Sequence, residues 1–328
     1  MNPVRRDEGA WIEHLRALFG EPSAEIGPGD DACVLGMGRF AVTTDALVEG
    51  VDFELAWAPP QAVGYKAMAA NLSDLAAMGA RPKHLLLTLG WPPTLDDAFV
   101  EGVLRGIHAL CEEEGVGLCG GDLTRAPILF LSLTLLGEQR HQPLLRSGGR
   151  PGDLLCVSGE LGGAAVALER FQAGERLLEF VPAVPPSEGR SIPLDRFYRP
   201  PKQTAFGEFL AQRGLATCCM DLSDGLVQDL GRLCKASGCG AEVQAANLPM
   251  DGALVGLPGG KALDFALRGG EEQVLLFAVA PERAHELDEA PGPVHRIGRL
   301  VPGSALELLV AGGGREALAL QGFDHFTP

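Results

Sequence analysis

Between Gly64 and Pro82 the chain reads GYKAMAANLSDLAAMGARP. Alanine, leucine and methionine dominate this stretch, and such side chains lose least on entering a helix. The pattern predicts a helix over Gly64–Met78. Asn71 and Asp74, one turn apart, would share a face. A carboxylate in so apolar a helix is costly unless it is paired or bound to a cation. Asp74 is therefore the first candidate functional residue, a buried salt bridge being the other reading.

Working outward, short apolar strands alternate with helical patterns, the signature of an α/β domain. Upstream, Ala32–Leu35 and Phe40–Thr44 read as strands, the second ending at Asp45. Downstream, His84–Leu89 reads as a strand and Thr94–Glu114 as an amphipathic helix, opened by Thr94 with Asp97 three residues on. Val116–Cys119 is a strand running into Gly120–Gly121–Asp122, and Leu129–Leu136 is another. The turn-rich QRHQPLLRSGGRPGD, Gln139–Asp153, carries the expected boundary between residues 1–137 and 138–328. A second α/β unit then opens with the strand Leu154–Val157 and the glycine-rich SGELGGAAVALER. A proline-rich exposed loop is expected over residues 174–201, then a helix over Lys202–Arg213. MDLSDGL should feed a helix that runs through Lys235. LRGGEEQVLLFAV reads as a turn entering a strand, and His295–Leu300 as a further strand.

Seven aspartates sit at or beside the ends of apolar runs: Asp30 and Asp31 in GPGDDACVL, Asp45 in AVTTDALVEG, Asp74, Asp122 in GLCGGDLTRAP, and Asp221 and Asp224 in MDLSDGLVQDL. Each alone is as readily an Asx-turn or a helix cap. Gathered in one fold, so many carboxylates would repel one another unless positive charge sat between them. Magnesium takes oxygen ligands and keeps positions open for phosphate oxygens. The set points to a nucleotide-dependent phosphoryl-transfer enzyme.

Bulk properties narrow the field. A chain of 328 residues exceeds a usual single core, so two domains are expected. Hydrophobic content of 46% excludes extended disorder, and no apolar run reaches the roughly 18 residues of a membrane span. MNPVRRDEGAWIEHL lacks an apolar signal core, so a cytoplasmic protein is expected. The net charge of −16 and the lack of a basic stripe argue against nucleic-acid binding. An acidic ATP-binding protein makes sense if the aspartates hold metal rather than phosphate. Eight cysteines without a CxxC pair read as reduced, apolar thiols. The seven histidines form no ligand-like cluster. No GxxxxGK[ST] loop and no protein-kinase signature is present.

Taken in order, GDD, TTDALVEG, GYKAMAANLSDLAAMGARP, GGDLTRAP, RSGGRPGD, MDLSDGLVQDL, RGGEE and GFDHF resemble the thiamine-monophosphate kinase family over nearly the whole chain. That family sits in a larger group of ATP-binding synthetases related to aminoimidazole ribonucleotide synthetase. The resemblance implies an N-terminal domain that dimerises through its sheet, a C-terminal α/β domain, and ATP between them. It implies magnesium ligands at Asp31, Thr43, Thr44, Asp45, Asp74, Asp122, Asp221 and Asp224, with Asp30 beside them. Nucleotide contacts are implied at Gly121, Asp122, Arg146 and Ser223, and thiamine-phosphate contacts at Asp52, Glu271 and Phe323. The implied reaction is direct in-line transfer from ATP to thiamine monophosphate. Arg146 would add fixed positive charge, and Lys66 either adds charge or serves as a structural ion-pair partner.

The sequence departs from the family pattern in four places. Asp52 stands for a histidine, Glu272–Gln273–Val274 for Asp-Tyr-Glu, Leu123 for a threonine and Phe323 for a tyrosine. Most of these lie on or near the acceptor side, so a different acceptor in the same superfamily, or a non-catalytic nucleotide binder, stays open as an alternative.

Overall fold

The computed structural model describes residues 32–35, 39–182 and 194–319. Asp30, Asp31 and Phe323 lie outside the described residues. Two sheets organise the chain. The first comprises β1 (Cys33–Leu35), β2 (Phe40–Val48), β3 (Arg81–Trp91), β4 (Gly117–Arg125) and β5 (Phe130–Glu138), in the order β1-β2-β5-β3-β4. Only the β3–β4 pair is parallel. The second is β12-β11-β8-β10-β6-β9-β7. Its strands are β6 (Leu154–Val157), β7 (Ala216–Asp221), β8 (Gly240–Gln244), β9 (Leu275–Val279), β10 (His295–Val301), β11 (Leu306–Leu309) and β12 (Arg315–Ala317).

Helix α1 (Pro60–Ala77) joins the two. Every residue of it except Pro60, Gln61 and Asp74 is buried. A helix so largely apolar belongs at the centre of a fold, and its small side chains let neighbours come close. Gly64 shows why: a Cβ there would lie 1.9 Å from the Val103 carbonyl of α2 (Asp97–Glu114). Ala76 and Ala77 pack into a cluster with Phe206 and Leu210 of α5 (Thr204–Arg213) and with Leu275 and Phe277 of β9. One helix thus contributes to the first core and to the seam with the second. Leu75 is fully buried, and truncating it to alanine would cost about 3 kcal/mol.

The structure corrects four sequence expectations. Asp45 lies within β2, because that strand pairs with β5 from Phe40 to Val48 without a break. Likewise β4 runs on through Gly120–Gly121–Asp122 to Arg125. The N-cap of α2 is Asp96, whose carboxylate accepts from the Phe99 amide at 2.8 Å, because Thr94 is taken up in the Pro92–Leu95 turn. The described part of 174–201 is not simply exposed. Leu177, Phe180, Phe197 and Tyr198 are buried in the first core. Phe197 and Tyr198 belong to α4 (Asp195–Tyr198), and Trp57 stacks on Phe171 of α3 (Gly163–Gln172) at 5.4 Å.

Candidate active site

A cleft of about 850 Å³ opens between the two sheets, walled by α1, the end of β2, α3, the β7–α6 junction and the turn after α7 (Gly259–Arg268); α6 is Leu226–Ser237. Lys66, Ala70 and Asp74 line it from α1. Their spacing of four residues puts all three on one stripe of the helix. Asn71, expected on the Asp74 face, is instead buried with its Nδ2 donating to the Ala67 carbonyl at 3.0 Å. Lys66 is 3% exposed, pairs with Glu271 at 2.6 Å and lies 3.8 Å from the Phe197 ring centroid. It is thus an ion-pair partner that still borders the cleft.

From β2 and the turn after it, Asp45 and Asp52 reach the cleft. Strand alternation sets the choice of side chain. Thr43 and Asp45 face α1, and the Thr43 hydroxyl donates to Asp74 Oδ2 at 2.5 Å. Thr44 points to the opposite face and donates to the Leu133 carbonyl at 3.1 Å. Asp52 closes the turn after β2, accepting from the Val48 amide at 2.7 Å. Burial, the Glu271 charge and the Asp52 charge together push the Asp45 carboxyl up to about 6, while Lys66 opposes them.

The opposite wall is MDLSDGLVQDL. Asp221, ending β7, accepts from the Ser73 hydroxyl of α1 at 2.8 Å, which ties the two sheets' domains at the site. Asp229, fully buried in the first turn of α6, accepts from the Ser223 and Asp224 amides at 3.1 and 3.0 Å. Arg232 bridges Asp224 and Asp229 at 2.5 and 2.8 Å. Burial, then the Asp224 charge, raise the Asp229 carboxyl to about 7 against the pull of Arg232. The turn Gly269–Gln273 clasps this junction: the Glu271 and Gln273 amides donate to the Ser223 and Leu222 carbonyls at 2.7 and 2.8 Å. Glu271 and Gln273 both adopt left-handed backbone, φ 65° and 54°, a conformation side chains rarely take without a reason imposed by their surroundings.

The chain has relatives along most of its length. The family model for the AIR synthase related protein N-terminal domain matches residues 29–139, and that for its C-terminal domain matches residues 150–311. Thiamine-monophosphate kinase of Salmonella typhimurium is 37% identical over 315 residues, 92% of either chain. The chain belongs to the thiamine-monophosphate kinase family. Among family structures, the one described as AaThiL complexed with AMPPCP and TMP superposes with a TM-score of 0.84 at 28% identity, covering 99% of this chain and 100% of that one. The thiamine-monophosphate kinase of Stenotrophomonas maltophilia gives 0.74 at 34% identity, covering 94% and 98%.

Of the residues the family resemblance singles out, Asp45, Asp52, Asp74, Arg146, Asp221, Ser223, Asp224 and Glu271 line the one cleft. Thr43 touches it through Asp74. Thr44, Gly121 and Asp122 do not line it. Asp122 lies on β4, an edge strand exposed along its whole length. Gly121 has a structural reason: a Cβ there would come within 1.8 Å of the Leu87 carbonyl on the paired strand. Arg232, Arg268 and Asp229 escaped the sequence reading. The signal for Asp229 was present, an acidic residue in the first turn of a helix just after a tight Ser-Asp-Gly turn, where it can reach back to free amides.

The lining chemistry suits hard divalent cations. Eight carboxylates and four cationic side chains face the cleft, with no imidazole or thiol, so an anionic substrate would meet an acidic surface. Among the described residues no three His, Cys, Asp or Glu side chains converge on a single point.

Proposed function

We infer that this chain transfers the γ-phosphoryl group of ATP to the phosphate of thiamine monophosphate, giving ADP and thiamine diphosphate. The observation that carries the reading is the single cleft in which Asp45, Asp74, Asp221 and Asp224 face Lys66, Arg146 and Arg232. Family membership supports the substrate class, and the relative described with AMPPCP and TMP matches 99% of this chain.

Little proton chemistry is required of the protein. A phosphate monoester has a second pKa near 6, so the attacking oxygen is already largely ionised at neutral pH. The remaining barrier is the approach of two anions, which positioning and charge address. Magnesium held by Asp45, Asp74, Asp221 and Asp224 would supply charge neutralisation between the phosphates. Thr43 orients the Asp74 carboxylate, Asp229 holds the amides of Ser223 and Asp224 in place, and Arg146 and Arg232 offer fixed charge. Asp30, Asp31, Thr44 and Asp122 remain proposed ligands, and Gly121 and Ser223 proposed nucleotide contacts. Asp52, Glu271 and Phe323 are the proposed acceptor contacts.

Two structural facts favour this acceptor over another. Glu272 turns away from the cleft: its carboxylate accepts from the Gly162 and Ala164 amides at the start of α3 and pairs with Arg196 at 2.6 Å. Val274 is fully buried in the second core. Two of the three altered residues after Glu271 therefore serve packing.

A homodimer through the first sheet is also proposed, with residues 1–137 and 138–328 as the two domains. Its support is β4, nine exposed residues on a sheet edge, with Leu118 66% and Leu123 63% exposed. Unpaired apolar edges of that length are normally covered. Sedimentation of a Leu118→Glu/Leu123→Glu variant as a monomer, against a dimeric parent, would support the assembly; a monomeric parent would exclude it.

The decisive assay incubates the purified protein with magnesium, ATP and thiamine monophosphate and follows both products. Equal formation of ADP and thiamine diphosphate is expected. ATP binding without thiamine diphosphate would reject the acceptor.

A further inference from the structure

Gln273 is the one altered residue after Glu271 that faces the cleft. It is 6% exposed, and its side-chain Oε1 is buried with no hydrogen-bond partner. Buried amides are nearly always paired, because leaving one unpaired is costly. The backbone that carries it is anchored: Gln273 sits at φ 54°, with its own amide donating to the Leu222 carbonyl at 2.8 Å. An amide with an unpartnered oxygen, set in a cleft wall, calls for a ligand group that completes it.

A primary amide offers an acceptor beside a donor. Its complement is a donor beside an acceptor, the pattern of an exocyclic amine next to a ring nitrogen, which glutamine and asparagine side chains read in adenine. Phosphates and carboxylates offer acceptors only. We propose that the Gln273 side-chain amide reads an aminopyrimidine edge of a bound substrate. Such an edge occurs in the aminopyrimidine ring of thiamine monophosphate and in the adenine of ATP. The inference rests on the phosphoryl-transfer reading above and adds a specificity-determining residue to it.

The test measures binding by calorimetry and kcat/KM for the full-length protein and for Gln273→Leu. Thiamine monophosphate is compared with oxythiamine monophosphate, and ATP with inosine triphosphate; each second compound carries oxygen in place of the amine. The parent is expected to prefer one amino compound over its oxo counterpart. Gln273→Leu should lose about tenfold in affinity for that amino compound alone, with kcat retained. Loss confined to the thiamine pair places the edge on the acceptor; loss confined to the nucleotide pair places it on ATP. Equal losses for amino and oxo forms, or a parent that discriminates neither pair, overturn the proposal. Should Gln273→Leu fold poorly by thermal melting, Gln273→Asn repeats the comparison with a shortened amide, and the parent's own discrimination still decides. Absence of turnover with selective binding intact would sink the phosphoryl-transfer reading and leave this one standing.

Discussion

The two acidic ends of the cleft differ in how their charge is balanced. At the β7–α6 junction Asp221 receives a hydroxyl from Ser73, Asp224 pairs with Arg232, and Asp229 takes two backbone amides and the same arginine. At the β2 end the Asp45 carboxylate accepts from the Ala46 amide at 3.1 Å, and burial, Glu271 and Asp52 all push its carboxyl upward. At the first end the protein supplies each carboxylate with hydrogen-bonding or charged partners. At the second, like charge around Asp45 outweighs the pull of Lys66. One residue type thus stands in two electrostatic settings within one cleft, and the partners, not the aspartates, tell them apart.

The largest effect that would sharpen this contrast is loss of turnover. Asp74→Ala and Asp45→Ala should each lower kcat by at least about 100-fold while the folded protein melts as cooperatively as before. Full activity in both would break the comparison, since the under-balanced end would then be dispensable.

Next in size is the braced end. Asp229→Asn keeps the shape but removes the charge facing Arg232. About a tenfold fall in kcat/KM for ATP is expected, together with a lower melting temperature. An unchanged melting temperature would show that the brace is not structural.

The third effect is pH-linked and smaller. Burial and like charge raise the Asp45 carboxyl from 3.8 to about 6, so the folded protein holds that proton more tightly than the unfolded chain. The resulting stabilisation is complete below pH 3.8 and is lost as pH rises through about 6. In metal-free buffer the melting temperature of Asp45→Asn should therefore gain on the parent across that interval, by about 2–5 °C, and then level off. Magnesium with ATP should close the gap. A constant difference at all pH values would show that Asp45 is balanced after all.

Smallest is Asp52→His. Relief of the charge beside Asp45 should lower KM for thiamine monophosphate by about threefold. A rise would mean that the bond from the Val48 amide to Asp52 holds this turn in shape for the substrate.

Much of this was legible in the chain. The helix over Gly64–Met78 betrayed itself by composition, and its aspartate by being out of place there. The aspartates of AVTTDALVEG and MDLSDGLVQDL carried enough local context to be grouped. What escaped depends on pairing across distance. Asp45 continues a strand only because β5 runs beside it, and Gly121 is explained by the carbonyl of Leu87 rather than by a ligand. Arg232 and Asp229 matter through a turn several residues earlier. The aromatic residues after Phe180 looked like an exposed loop because prolines surround them, and only the first core, reached through Trp57 and Phe171, explains their burial.

The enclosure of α1 has one more consequence. A helix buried along nearly its whole length offers most of its amides little local route to solvent, so they should exchange hydrogen only when the whole molecule opens. Lys66, Ser73 and Asp74 would then keep their places up to the midpoint of unfolding. Heat inactivation and loss of structure should coincide in this protein, with no warm, folded, inactive state between them.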